Sequence, residues 1–244
     1  MKTVTVKSLL LSLLLCTAAH AQETMVVVHK WDNSVGFYNA ETGQSLAKVA
    51  VGVRPHEMAL SADRRLAYIT NYGVNSYTQT EEGGNTITIV DLVERKKIGE
   101  IELGKFHRPH GIERGRSGLL YVTTDFPPSL LVIDPLQKKI VREIPVGQSL
   151  PHMVVVTRDE RKAYTANSGA GSVTAIDLKT GKVIKHISIG GVPMGLERRL
   201  SGDYRPHAYR TRHGRATVQA LQLNRPEVVA SSEHPPAIPT PETR

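Results

Sequence analysis

Cysteine is almost missing from this chain: one residue, Cys16, in 244. It falls in an N-terminal leader, so the mature chain is expected to form no internal disulfide and to rely on strand pairing and core packing alone. Aromatic residues make up only 5% of the sequence, and they form no stripe with basic residues of the kind that stacks nucleic-acid bases. Nucleic acid is therefore not an expected partner. No GxSxG elbow, HExxH pair, Walker loop or CxxC motif is present, so the familiar signatures of serine hydrolases, zinc proteases, nucleotide hydrolases and thiol redox proteins are all missing. The repeat region lacks a 3.6-residue apolar stripe, which excludes a helical solenoid.

The leader comes first in what is there. Lys2 and Lys7 precede an apolar run from Leu9 to Leu15, and Ala19-His20-Ala21 is a small-x-small cleavage site. Residues 1–21 read as a secretory signal peptide, too short for a membrane span. The bulky Leu15 before Cys16 favours ordinary cleavage over a lipid anchor. Export places the mature chain in the bacterial periplasm, or outside the cell. Loss of the two leader lysines lowers the formal charge from +8 to +6, a modest excess that reads as solvated surface charge. With 40% hydrophobic residues, the chain can bury a real core.

A repeat organises the rest. Pro55, Pro109, Pro151 and Pro193 are spaced by 54, 42 and 42 residues, and the turn aspartates Asp91, Asp134 and Asp177 by 43 and 43. Each unit reads as four short alternating strands, and a period near 42 residues with that content predicts propeller blades. The fold class is thus all-β, an incomplete β-propeller of four-stranded blades spanning 22–202. The units are 26–52 (lacking its opening strand), 53–104, 105–147, 148–190 and a partial unit at 191–202. An insertion at 74–85 extends one face of the second unit.

Register holds as far as Ser201-Gly202, which repeats Ser117-Gly118, and then composition changes abruptly. Residues 203–244 read as an irregular tail rich in arginine and proline, with eight arginines and no lysine between 191 and 244. Two readings stand: a genuine disordered tail, or a frameshift that truncated a longer propeller. The pieces make four blades only if the strand at Pro193 completes the first unit. An open arc exposes strand edges and invites self-association.

His56, His110 and His152 each follow an anchor proline at the start of an innermost strand, so they should share one rim of the channel. Three such imidazoles can bind a metal, or an anion when protonated, although splayed blades would hold them too far apart for one zinc ion. The plain alternative is a repeat residue that hydrogen-bonds the next blade. His107 adds an imidazole to that rim, and Arg54 and Arg108 form a basic collar suited to a carboxylate. Asn71, Tyr72, Thr124, Asp125, Asn167 and Ser168 end the second strands and read as turn formers. The recurring Asp91, Asp134 and Asp177 read as structural.

The segments LAYITNYG, LLYVTTD and KAYTANSG, each followed by an ID-type turn, resemble the YVTN family of propeller repeats, which are WD40-like in architecture. Surface-layer proteins, lactonase-like propellers and the haem d1 propeller of nitrite reductases carry similar repeats. The resemblance covers about residues 26–202 and implies export and a ring of about seven blades, of which this chain has about four. No haem-attachment motif is present and no cofactor is expected. A lactonase-like role would make Glu113 a base beside His110, activating water; Glu197 is its repeat partner. The leading expectation is an exported scaffold binding an unknown protein or small-molecule ligand. The alternatives are a lactone hydrolase-like enzyme and a non-functional truncated fragment.

Overall fold

The computed structural model describes residues 23–198, 217–221 and 228–233. The leader, and the tail apart from two short segments, lie outside the described residues, and with them the signal-peptide and frameshift expectations.

Every described element is a strand. The first sheet comprises β1 (Thr24–His29), β2 (Ser34–Asn39) and β3 (Ser45–Ala50). The second is β4 (Pro55–Leu60), β5 (Leu66–Asn71), β6 (Thr86–Asp91) and β7 (Lys96–Glu102). The third is β8 (His107–Arg114), β9 (Leu120–Phe126), β10 (Ser129–Asp134) and β11 (Lys139–Pro145). The fourth is β12 (Pro151–Val156), β13 (Lys162–Asn167), β14 (Ser172–Asp177) and β15 (Lys182–Ser188). Each is an antiparallel meander in sequence order, and the innermost strands β4, β8, β12 and β16 (Val192–Arg198) lie side by side. This is an incomplete β-propeller.

Two observations differ from expectation at the C-terminal end. The stretch read as wholly irregular contributes β17 (Thr217–Leu221) and β18 (Val228–Glu233), which join β16 in the order β16-β18-β17. Pairing with β18 supplies hydrogen-bond partners for β16, whose backbone groups would otherwise be left open. The strand at Pro193 consequently does not complete the first unit: among the described residues β1 pairs only with β2.

Alternation along each central strand explains how the sheets stack. In β5, Ala67 and Ile69 pack toward the first sheet with Val35 and Phe37. Tyr68, between them, packs toward the third sheet with Leu120 and Val122. In β9 the pattern repeats: Tyr121 turns the other way, to Val154, Val156 and Ala163 of the fourth sheet. A strand covered on both faces needs apolar residues at nearly every position, which is what LAYIT and LLYV provide. The turn aspartates are structural, as expected. Asp91 accepts the Val93 and Glu94 amides, Asp134 those of Leu136 and Gln137, and Asp177 that of Thr180.

Candidate functional site: a histidine-lined rim

The innermost strands share a distortion. Each carries a β-bulge just after its anchor proline, between Pro55 and Met58, Pro109 and Ile112, and Pro151 and Val154. Two residues, beginning with the histidine, face one residue of the second strand. In the second and third sheets that single residue is a threonine acting as a latch. Thr70 Oγ1 accepts the Glu57 amide at 3.1 Å and donates to the His110 carbonyl of the next sheet at 2.9 Å. Thr123 Oγ1 accepts the Gly111 amide at 2.9 Å and donates to the His152 carbonyl at 2.7 Å. In the fourth sheet Ala166 holds this position; there His152 Nδ1 lies 2.9 Å from the Met194 carbonyl oxygen instead. The expectation of a histidine that bonds the neighbouring blade is met at His152.

The residue before each anchor proline is also unusual. Arg54, Arg108 and Leu150 have φ of 50°, 54° and 49°, in the left-handed region that non-glycine residues seldom occupy. Such conformations persist only where surrounding contacts hold them. Here the Arg54 amide donates to Asn33 Oδ1 at 2.8 Å, and the Arg108 amide to the Gly84 carbonyl at 2.6 Å.

These distortions bring the histidines together. The His56 and His110 rings are 3.9 Å apart between centroids, and those of His110 and His152 are 3.6 Å apart. The spread anticipated for blades around a wide ring does not occur, because latched inner strands approach closely at this end. Gly111 measures how closely: a Cβ there would sit 2.5 Å from the His152 carbonyl oxygen. Tyr72 lies edge-on to both His56 and His110, at 5.5 and 5.2 Å. Its hydroxyl donates to Asp125 Oδ2 at 2.7 Å.

Burial sets the charges. It holds His110 well below the usual imidazole value, with the neighbouring His152 and His56 adding to the effect. Burial likewise lowers His152 to about 4. Both rings are neutral at pH 7. Asp125 is pushed up to about 6 by burial, against the opposing pull of the Tyr72 hydroxyl and Arg108. Burial and the nearby Asp125 raise Tyr72 above the ordinary phenol range. Lys30 Nζ stands 5.5 Å over the Tyr72 ring and is lowered by burial and by Arg54.

The other expected site residues are placed differently. Arg108 is fully buried and does not form an open collar. Its Nη2 donates to the Gln79 and Glu81 carbonyls of the 74–85 insertion, and its guanidinium lies 4.8 Å over Phe126. Arg54 stacks on Trp31 at 4.8 Å and donates to the Trp31 carbonyl. His107 pairs with Glu82 at 3.0 Å beneath the insertion, beside a cavity of about 310 Å³ lined also by Lys105 and Phe126. Glu113 accepts the Val156 amide of the fourth sheet at 2.7 Å, a cross-sheet tie. Tyr72, Asp125, Lys30 and Glu57 are the residues of the rim that sequence reasoning missed. Tyr72 and Asp125 occupy successive copies of one repeat position, and that was the available signal.

Fold and rim together define an incomplete β-propeller with a cluster of closely packed imidazoles at one end of its inner strands. No family model matches the chain, and no curated protein matches it. Among solved structures it is similar to Kuenenia stuttgartiensis hydrazine synthase, with a TM-score of 0.58 and 26% identity. The match covers 71% of this chain and 47% of that one, so the chain spans about half the length of the solved chain it matches.

Proposed function

We propose that the chain is an exported YVTN-type repeat protein that acts as a binding scaffold, with its ligand site at the rim formed by His56, Tyr72, His110 and His152. The observation that carries this reading is unsatisfied bonding capacity. His56 Nδ1 and His110 Nδ1 are buried polar atoms without a hydrogen-bond partner. Buried polar atoms of this kind are few in native proteins and usually mark a missing partner. Three strands from three blades supply the rings, so the site exists only in the assembled propeller. Burial keeps the His110 and His152 rings neutral, which suits a ligand that takes up a lone pair or donates a hydrogen bond.

A thermal-shift panel tests the reading. The mature protein is screened with small carboxylates, inorganic phosphate, lactones and divalent metal salts, beside the variant His56→Ala at a partly exposed position. At least one member is expected to raise the melting temperature of the wild type and to do so less in the variant. A panel without effect, or shifts equal in both proteins, contradicts the proposal.

Asp125 favours a second reading. A carboxyl group with a pKa of about 6 is suited to general-base work near neutral pH, and a lactone hydrolase would use it in place of Glu113. Lactone opening by the purified chain, lost in Asp125→Asn, would support catalysis. Binding without turnover supports the scaffold.

A further inference from the structure

We propose that the rim is a site for a late divalent transition metal, with His56, Glu57 and His110 as its protein ligands. This inference rests on the binding reading above and names its ligand class. One ligand atom from each of these three residues lies within 4.8 Å of the other two. Around an ion with nitrogen and oxygen ligands at about 2.0–2.2 Å, tetrahedral donors stand about 3.4 Å apart. The gap closes by roughly an ångström of side-chain rotation. His56 and Glu57, both partly exposed, are free to make that adjustment.

Three properties of the site select a metal over other occupants. His110 is 3% exposed, its Nδ1 has no hydrogen-bond partner, and that of His56 is likewise unpartnered. An imidazole nitrogen with a free lone pair is the commonest protein ligand for such metals. An anion would meet the Glu57 carboxylate beside these rings. Glu57 supplies the negative charge; its Oε1 lies 3.5 Å from His56 Nδ1. The Tyr72–Asp125 pair stands against the same rings and offsets the nearby positive charge of Lys30. Two imidazoles and one carboxylate suit zinc, copper or nickel rather than magnesium or calcium. Three protein ligands leave an open coordination position at the partly exposed side of the site.

The bulge is what makes the chelate. It places His56 and Glu57 together opposite Thr70, and the Thr70 latch fixes the His110 backbone beside them. In the third sheet the residue matching Glu57 is Gly111, and in the fourth it is Met153. Only the first of the three Pro-His bulges therefore offers a carboxylate, so the proposal assigns one ion to one place.

Zinc ion is titrated into the metal-stripped mature chain in competition with a chromophoric chelator, and bound zinc is counted by elemental analysis. The wild type is expected to bind one equivalent. His56→Ala and Glu57→Gln, both at partly exposed positions, should each weaken binding at least about 10-fold, and His110→Ala should abolish it. His186→Ala, which removes an imidazole bonded to Thr174 outside the rim, should leave binding unchanged. Cobalt substitution should give a visible spectrum typical of low coordination number that His56→Ala alters. Folded wild type that takes up no zinc, or His56→Ala and Glu57→Gln with wild-type affinity, overturns the metal assignment. If zinc fails while another panel member still shifts the melting temperature through His56, the binding reading stands and only the metal falls.

Discussion

Asp125 is the residue whose behaviour most directly reports burial at the rim. Its carboxyl group is raised from 3.8 to about 6 because burial penalises the charged form. Between those values the folded chain binds more protons than the unfolded chain. Stability from this group is therefore full below pH 3.8 and is lost as pH rises through 6. The loss amounts to about 3 kcal/mol at most. Asp125→Asn keeps an acceptor for the Tyr72 hydroxyl and removes the charge. Its stability relative to wild type is expected to improve from pH 4 to pH 7, by up to that amount, in urea unfolding at each pH. A difference that does not vary with pH would mean that Asp125 is solvated in the native state.

The same scale shows what could be read in advance and what could not. His56, His110 and His152 were legible because they recur beside an anchor proline, and a repeat position must fall at equivalent places in successive blades. Asp125 and Tyr72 were read as turn formers, since their bond joins residues 53 apart on different sheets. The left-handed backbone at Arg54, Arg108 and Leu150 was equally hidden. A residue before proline is ordinarily extended, and here tertiary hydrogen bonds override that preference.

Among the elements, the bulged inner strands determine whether neighbouring blades meet. Gly111 has no room for a side chain, and the atoms in the way are backbone, at 2.5 Å for the His152 carbonyl oxygen and 2.9 Å for Met153 Cα. Gly111→Ala must force β8 and β12 apart. It is expected to lower stability by roughly 2 kcal/mol or more, within the range of overpacked sites. Thr123 makes the complementary test. Thr123→Val fills the same space and leaves the Gly111 amide and His152 carbonyl without their hydroxyl partner, at about 1–3 kcal/mol for each group left unsatisfied. Chemical denaturation measures both; a Thr123→Val protein as stable as wild type would show that the latch is dispensable. Strand positions themselves were legible, because alternation and turn residues recur in every unit. The bulges were not, since an extra residue in a strand leaves the apolar pattern almost unchanged.

At the scale of the molecule, the sheets share their cores, so the propeller units should not unfold one at a time. Tyr68 packs with the third sheet and Tyr121 with the fourth, while Ser117 and Tyr121 donate to Glu160 across that second boundary. Residues 23–198 are expected to give a single cooperative transition in calorimetry, with separate transitions contradicting shared cores. The C-terminal end has a distinct role, because β16 takes its strand partner from β18. Removing residues 203–244 should expose the β16 edge, lower the melting temperature and promote self-association seen by light scattering. A truncated chain as stable and monodisperse as the full one would contradict that role.

Ring-to-ring contact among the rim histidines is the claim on which the site and its metal chemistry both depend. Histidine-labelled protein in solution reports it through nuclear Overhauser effects between imidazole protons. The structure predicts cross-peaks from His110 to both His56 and His152, whose ring centroids lie 3.9 and 3.6 Å away. Folded protein in which the His110 ring shows no Overhauser contact to either neighbour would contradict it.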